Sequence, residues 1–127
     1  MIKYTLSIKL PSLNDFLSKT KKSHFLGNAM KQSIQNDICW QIKQQGIKKA
    51  KKKVDIYINW FEANKRRDKD NVISSTKFLA DSLVSLGIIK DDGWQYVGQY
   101  YPKVYLAKDK KYRVEIELKE SEEIENE

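Results

Sequence analysis

Residues 54–60, with the sequence VDIYINW, alternate between apolar and polar side chains and constrain the fold more than any other segment. Successive side chains of an extended strand point to opposite faces, so the apolar members share one face. Those members are Val54, Ile56, Ile58 and Trp60. A sheet with one apolar face must bury that face against a second layer. The segment therefore predicts a half-buried strand.

Other segments supply further predicted strands. Alternating apolar residues predict strands at Tyr4–Leu10, Trp94–Leu106 and Tyr112–Leu118. The last two segments are separated by a turn at Asp109–Lys111, and the sequence therefore predicts that they form a hairpin.

Two segments have helical periodicity. They predict a long helix at Phe25–Gln45 and a second helix from Asp70 that stops at Gly87, while Ser12–Lys22 is polar and predicts a loop with a helical turn. The resulting order predicts an α/β domain of the α+β type over residues 1–119. It has a mixed or antiparallel four-stranded sheet and two main helices on one face. Residues 120–127 are predicted to form a disordered acidic tail.

The charge of the chain favours a polyanionic partner. The sequence has 24 basic and 17 acidic residues, and five of the acidic residues lie in the segment 120–127. The remainder carries 24 basic residues against 12 acidic ones, which suits nucleic acid, although a merely lysine-rich composition is the alternative. Basic residues concentrate around the central strand, where a solvated linker is again the alternative. The predicted DNA contacts are Lys51, Lys52, Lys53, Lys65, Arg66, Arg67 and Lys69.

Composition also excludes several classes of protein. No apolar run approaches membrane-spanning length and the N-terminus lacks a signal-peptide layout, which predicts a cytoplasmic protein without a membrane partner. Cys39 is the only cysteine, so no internal disulfide can form and a reducing compartment is expected. One cysteine and one histidine do not make a zinc finger. No segment predicts a site for a small-molecule cofactor.

Two pairs of aspartates flank the second helix. Asp68 and Asp70 follow the central strand, and in an extended chain residues two apart point to the same side. Two like charges at that range raise each other's pKa unless a cation such as Mg²⁺ neutralises them. A helix cap or a solvated turn is the alternative for this pair. Asp91 and Asp92 precede Gly93, where a turn without chemistry is the simplest interpretation.

The helix between these pairs carries a narrow polar stripe opposite its apolar face. The stripe consists of Asp70, Ser74, Lys77, Asp81 and Ser85. Lys77 lies two turns after Asp70 and is therefore directed to the same side. A lysine there can hold a scissile phosphate or offset the charge of its transition state. A surface ion pair with Asp81, one turn later, is the alternative.

Together these residues resemble the RusA family of Holliday junction resolvases. The family pattern is an Asp-x-Asp-Asn opening, a Lys-x-x-x-Asp-x-Leu helix, a glycine and an Asp-Asp turn. It is matched by Asp68, Asp70, Asn71, Lys77, Asp81, Leu83, Gly87, Asp91 and Asp92. The close match covers about a quarter of the chain. One departure is the segment VISSTK after Asn71, which makes the spacing to the helix motif longer than in the family's best-known form.

The resemblance implies an endodeoxyribonuclease that uses Mg²⁺, or alternatively Mn²⁺, to resolve four-way junctions by paired nicks in DNA recombination and repair. It also implies a homodimer that acts on branched DNA, of a kind often encoded on prophages. The catalytic residues transferred by motif position are Asp68, Asp70, Asp92 and Lys77. The three aspartates would bind the metal, with Asp91 as a substitute for Asp92. The alternative functions are a non-catalytic branched-DNA-binding phage accessory protein, or one whose acidic pairs are only caps and turns.

A continuous helix would create a problem of reach. From Asn71 to Gly87 it would be about 24 Å long, whereas the five residues from Gly87 to Asp92 span at most about 17 Å. Asp92 would not easily return to Asp68 in its own chain. Either the helix begins late, near Ser75, or the third carboxylate comes from a partner subunit.

Overall fold

Four strands form one mixed sheet in the computed structural model, which describes residues 1–122. They are β1 (Ile2–Leu6), β2 (Val54–Glu62), β3 (Val97–Leu106) and β4 (Arg113–Glu120). Their spatial order is β1-β4-β2-β3. β2 runs parallel to β3 and antiparallel to β4, and β4 is antiparallel to β1. The α+β fold class with a four-stranded sheet, predicted from the sequence, is confirmed.

The helices of the described chain are α1 (Leu13–Lys22), α2 (His24–Gln45), α3 (Lys69–Ile73) and α4 (Thr76–Ser85). α2 confirms the long helix expected after the first strand. α1 is a complete helix where a loop was predicted. Its N-cap Ser12 accepts a hydrogen bond from the backbone N–H of Asp15 at 3.1 Å. None of the ten residues of α1 is fully buried, and the helix contacts the core through Phe16, whose ring packs edge-on against Phe78 with centroids 5.5 Å apart.

The predicted hairpin of β3 and β4 is wrong, because β2 lies between them. β3 is an edge strand that pairs with β2 in parallel, and the register places Glu62 opposite Leu106. The turn signal at 109–111 is correct locally, since Lys110 has a positive φ of 57°. The connection nevertheless passes over β2, because β2 has the most regular apolar face and occupies the centre of the sheet.

One face of the sheet forms the core. Alternate residues of β2 are buried from Val54 to Glu62, and the residues between them are only half-buried. The helices cover this buried face; the buried residues of α4 are Phe78, Leu79, Ala80, Ser82 and Leu83. The other face is more open and carries two stacked aromatic pairs, Tyr57 with Tyr101 and Phe61 with Tyr105.

Ser74 and Ser75 divide the predicted continuous helix into α3 and α4. Ser75 is fully buried, and its hydroxyl donates a hydrogen bond to the carbonyl of Pro11. The hydroxyl of Ser74 accepts a hydrogen bond from the backbone N–H of Leu13 at 3.0 Å. Serine side chains that bond the backbone compete with helical hydrogen bonding. The break is thus anchored to the segment that enters α1, and the late helix start is the geometry that the chain adopts.

The sheet extends into the segment predicted to be a tail. Glu120 is the last residue of β4, and the backbone N–H of Ser121 donates to the carbonyl of Lys53 at 2.8 Å. Residues 123–127, the rest of the predicted disordered tail, lie outside the described residues. Within residues 1–122, no helix combines the length and the apolar character needed to cross a membrane.

The one-sided core generates a prediction about neighbouring residues of β2. We expect Ile58→Ala to lower the free energy of unfolding by about 2–5 kcal/mol, because it leaves a cavity under the centre of the sheet. Asn59→Ala, which changes the open face, should cost about 0.5 kcal/mol or less. Urea denaturation of the two variants measures both values. Equal losses of unfolding free energy in the two variants would contradict a sheet that is buried on one face only.

Candidate metal and nucleic-acid site

Lys77 lies in the first turn of α4 and contacts two carboxylates. Its Nζ is 3.1 Å from Oδ1 of Asp81 and 3.3 Å from Oδ2 of Asp92. Asp81 follows one turn later on the same helix, whereas Asp92 comes from the loop 15 residues along the chain. That loop turns back directly after α4, where the backbone N–H of Ile88 donates to the carbonyl of Leu83 at 3.0 Å. Asp92 therefore reaches the start of α4 within its own chain.

The charges of this cluster shift one another's pKa. Hydrogen bonds to Asp81 and then to Asp92 raise the pKa of Lys77, and the hydrogen bond from Lys77 lowers the pKa of Asp92. Both groups therefore remain charged near neutral pH. The two side chains are 61% and 34% exposed, so solvent screens the pair and its effect on stability is small. Burial, and next the nearby charge of Asp92, raise the pKa of the Tyr100 hydroxyl.

Asp91 has a local role in the turn. Its Oδ1 accepts a hydrogen bond from the backbone N–H of Asp92 at 2.8 Å, which is the pattern of an aspartate that stabilises its own turn. The turn interpretation therefore describes Asp91. Asp92, by contrast, directs its carboxylate to Lys77.

Asp68 and Asp70 lie at the start of α3 rather than in an extended segment. Asp68 is the N-cap residue and Asp70 is the second residue of the helix, so the predicted alternation of a strand does not apply to them. Asp68 makes no side-chain capping hydrogen bond. Both residues are exposed. Asp68 therefore occupies the N-cap position, but its carboxylate does not cap the helix and remains accessible to solvent.

The structure does not bring Asp68, Asp70 and Asp92 into one compact group. Within residues 1–122, no three histidine, cysteine, aspartate or glutamate side chains are arranged to hold a metal ion. Asp68 lines a surface cavity of about 500 Å³ with Leu106, whereas Asp92 lines a separate cavity of about 290 Å³ with Tyr100. Tyr100 and Leu106 are six residues apart on β3, which is about 20 Å of extended strand.

The chemistry of the first acidic pair nevertheless fits Mg²⁺. This ion prefers oxygen ligands, commonly takes one or two protein carboxylates and keeps several of its waters. Asp68 and Asp70 are two exposed carboxylates two residues apart at the start of α3. They have the right donors for such a water-rich ion.

The predicted DNA-contacting residues fall into two groups at opposite ends of β2. Lys51, Lys52 and Lys53 precede the strand and line a cavity of about 210 Å³ together with Lys90. The second group follows the strand and is exposed; it consists of Lys65, Arg66 and Lys69. Nine residues of strand separate the groups by about 30 Å. Lys52 also forms an exposed ion pair with Glu120 at 3.3 Å.

Arg67 does not belong to this exposed basic surface. Its Nε and Nη2 donate to the two carboxylate oxygens of Glu62 at 2.9 Å each, and its Nη1 donates to the carbonyl of Leu10 at 2.6 Å. The Arg67 and Glu62 side chains are only 18% and 8% exposed. In place of the predicted DNA contact, Arg67 holds the loop before Asp68 against β2.

Sequence reasoning missed this ion pair although a signal for it was present. Glu62 continues the alternation of Ile58 and Trp60, so it falls on the buried face of β2. A buried carboxylate requires a cation. Arg67, five residues later, is the cation that meets it.

Comparison with known proteins adds no further assignment. No model of a known protein family matches the chain, and no curated protein sequence matches it either.

The Glu62–Arg67 pair generates the second prediction. We expect Arg67→Met to lower the free energy of unfolding by about 3 kcal/mol, because it leaves the Glu62 carboxylate buried without a cation. The double variant Glu62→Met with Arg67→Met should recover much of that loss. Arg66→Met, at the adjacent exposed position, is the matched control and should remain close to the parent in thermal denaturation.

The Lys77 cluster generates the third prediction. In Lys77→Met the pKa of Asp92 should rise towards the ordinary value of 3.8, since the lysine hydrogen bond and charge that lower it are removed. A carboxyl carbon titration followed by NMR measures the change. Lys69→Met removes an exposed lysine that does not contact Asp92, and it should leave this titration unchanged.

Proposed function

We propose that this protein is a Mg²⁺-dependent, structure-selective endodeoxyribonuclease of the RusA type that nicks four-way DNA junctions in recombination and repair. The observation that carries the proposal is the 3.3 Å contact between Nζ of Lys77 and Oδ2 of Asp92. The resemblance assigns catalytic roles to these two residues, which are 15 positions apart in the sequence. Their proximity is what a shared role requires, and a surface pair between Lys77 and Asp81 alone does not account for it.

The proposed roles follow from the chemistry of each side chain. Asp68 and Asp70 would hold Mg²⁺. Asp92 lies at a separate cavity of its own chain, so it would serve as the third carboxylate only across the interface of the proposed homodimer. An ion bound there would supply an activated water and charge neutralisation at the leaving oxygen. Lys77 carries a full positive charge and donates hydrogen bonds to a phosphate oxygen, which stabilises the extra negative charge of the transition state.

In the proposed mechanism, Lys77 and Asp92 contact each other before DNA binds. The ammonium group of Lys77 contacts the Asp92 carboxylate, and a DNA phosphate would compete with Asp92 for the same ammonium group. Transfer of Lys77 to the phosphate frees the Asp92 carboxylate for a cation. Substrate and metal should therefore bind more tightly together than separately.

The basic groups at the two ends of β2 support DNA as the substrate. Their separation of about 30 Å corresponds to about nine phosphate spacings of 3.4 Å along one strand. Asp68 and Asp92 line cavities at opposite ends of β3, which runs beside β2. In the proposed homodimer, two-fold symmetry would present two such sites to opposite strands of a junction. We also propose that the protein acts in the cytoplasm.

One observation favours the alternative of a non-catalytic branched-DNA-binding protein. Within residues 1–122 the three aspartates do not form a metal-holding cluster. Such a protein would need the basic residues but none of the carboxylates.

The fourth prediction separates the two functions. A synthetic four-way junction should be nicked in the presence of Mg²⁺, and Asp70→Asn should abolish nicking while junction binding is retained. The amide keeps the size of the side chain but loses the charge that binds the cation. Denaturing gel electrophoresis of end-labelled strands detects the nicks, and a mobility shift measures binding.

Asp15→Asn is the matched control, because Asp15 is an exposed aspartate near the start of another helix, α1. It should cut the junction at the parental rate. Junction binding by the parent protein without any nicking in Mg²⁺ or Mn²⁺ would establish the non-catalytic alternative instead.

A further inference from the structure

Trp94 is held in an exposed position by an ordered turn. The carbonyl of Gly93 accepts hydrogen bonds from the backbone N–H groups of Tyr96 and Val97, both at 3.0 Å. The turn thereby fixes the backbone on either side of Trp94, whose residue surface is 90% exposed. Of the other tryptophans, Trp60 is buried and Trp40 is 62% exposed. A large apolar ring on a fixed turn is suited to contact a ligand.

A cavity of about 290 Å³ lies beside this indole. Its lining consists of Asp92, Trp94, Val97, Gly98, Gln99 and Tyr100. Two of these side chains, Trp94 and Tyr100, are aromatic rings. The volume is below the usual range for a drug-sized ligand and suits one planar ring system. Because Asp92 is part of the lining, a ring bound here lies next to the Lys77–Asp92 contact.

Lysines border the turn that carries Trp94. On the side of the cavity, Lys77 contacts Asp92, and Asp81 and Asp92 together balance its charge. The same turn lines the lysine-rich cavity on its other side, through Lys90, Gln95 and Tyr96, together with Lys51, Lys52 and Lys53. A phosphate backbone held by these lysines would therefore pass directly beside the turn that carries Trp94.

We propose that Trp94 and Tyr100 form a stacking site for an unpaired nucleobase adjacent to the phosphate that Lys77 contacts. Aromatic side chains stack on unpaired bases without regard to sequence, and the central bases of a branched DNA are those most easily unpaired. The inference rests on the proposed function and deepens it. It assigns the preference for branched DNA to a specific pair of residues.

The neighbouring aromatic residue on β3 is not part of this site. Tyr101 points to the opposite face of the sheet, where its ring stacks on Tyr57 with centroids 4.7 Å apart. Lys119 lies over the same Tyr57 ring at 4.8 Å. Tyr101 therefore has an aromatic partner within the sheet, whereas Tyr100 lines the open cavity. This difference provides a matched control variant one residue away.

The test uses a four-way junction that carries 2-aminopurine at its branch point, with binding measured in Ca²⁺ so that cutting does not contribute. Stacking on Trp94 should quench the 2-aminopurine fluorescence when the protein binds. Trp94→Ala should abolish the quenching and weaken binding by about five-fold or more, the size expected for one lost base stack. Tyr100→Leu should act in the same direction, and Trp94→Phe should retain part of both effects.

Trp40→Ala and Tyr101→Leu are the controls, and both should quench and bind like the parent. Equal quenching and affinity for the parent and for Trp94→Ala would overturn the stacking site. A change of oligomeric state in Trp94→Ala, measured by light scattering, would assign the indole to a protein contact and would also overturn it. These readouts do not depend on cutting. A parent protein that binds junctions without nicking them would therefore refute the nuclease assignment while leaving the stacking result interpretable.

Discussion

The ion pair between Glu62 and Arg67 is the interaction on which the geometry of the candidate site depends. It joins the end of β2, the loop before Asp68 and the carbonyl of Leu10 after β1. A carboxylate on the core face of a strand costs several kcal/mol to desolvate unless a cation meets it in good geometry. The forked guanidinium meets it with two parallel hydrogen bonds. The loop is therefore confined to conformations that keep Arg67 inward, and the next residue, Asp68, is directed outward.

The second ion pair of the candidate site, between Lys77 and Asp92, is exposed rather than buried. Lys77 and Asp92 are accessible to water, so their contact contributes little to folding and can be exchanged for other partners. Such a pair keeps both charges available to other ionic partners. A buried pair like that of Glu62 and Arg67 could not do this, because removal of either partner would leave a desolvated charge. The fold thus separates a structural ion pair from an exchangeable one.

Sequence patterns predicted those features that depend on local periodicity. The alternation of β2, the length of α2 and the α+β class follow from the burial of one face of each element. The contacts of Lys77 with Asp92 and of Arg67 with Glu62 depend instead on how separate segments meet. The interruption at Ser74 and Ser75 arises because their hydroxyls bond to the chain before α1, which no local pattern reveals. The position of β3 beside β2 likewise depends on competition between strands for the centre of the sheet.

The aromatic residues of β3 illustrate how position in the sheet determines what the same residue type can do. Consecutive side chains of a strand face opposite ways, so Tyr100 and Tyr101 occupy different environments although they are adjacent in sequence. On the open face, Tyr101 has an aromatic partner, and its ring contributes to the cohesion of β2 and β3. On the side of the candidate site, Tyr100 borders a cavity that also contains Asp92 and Trp94. β3 is an edge strand, so no further strand of the described sheet covers its outer side. The two adjacent tyrosines therefore differ in role, since one is packed against a ring and the other lines an open cavity.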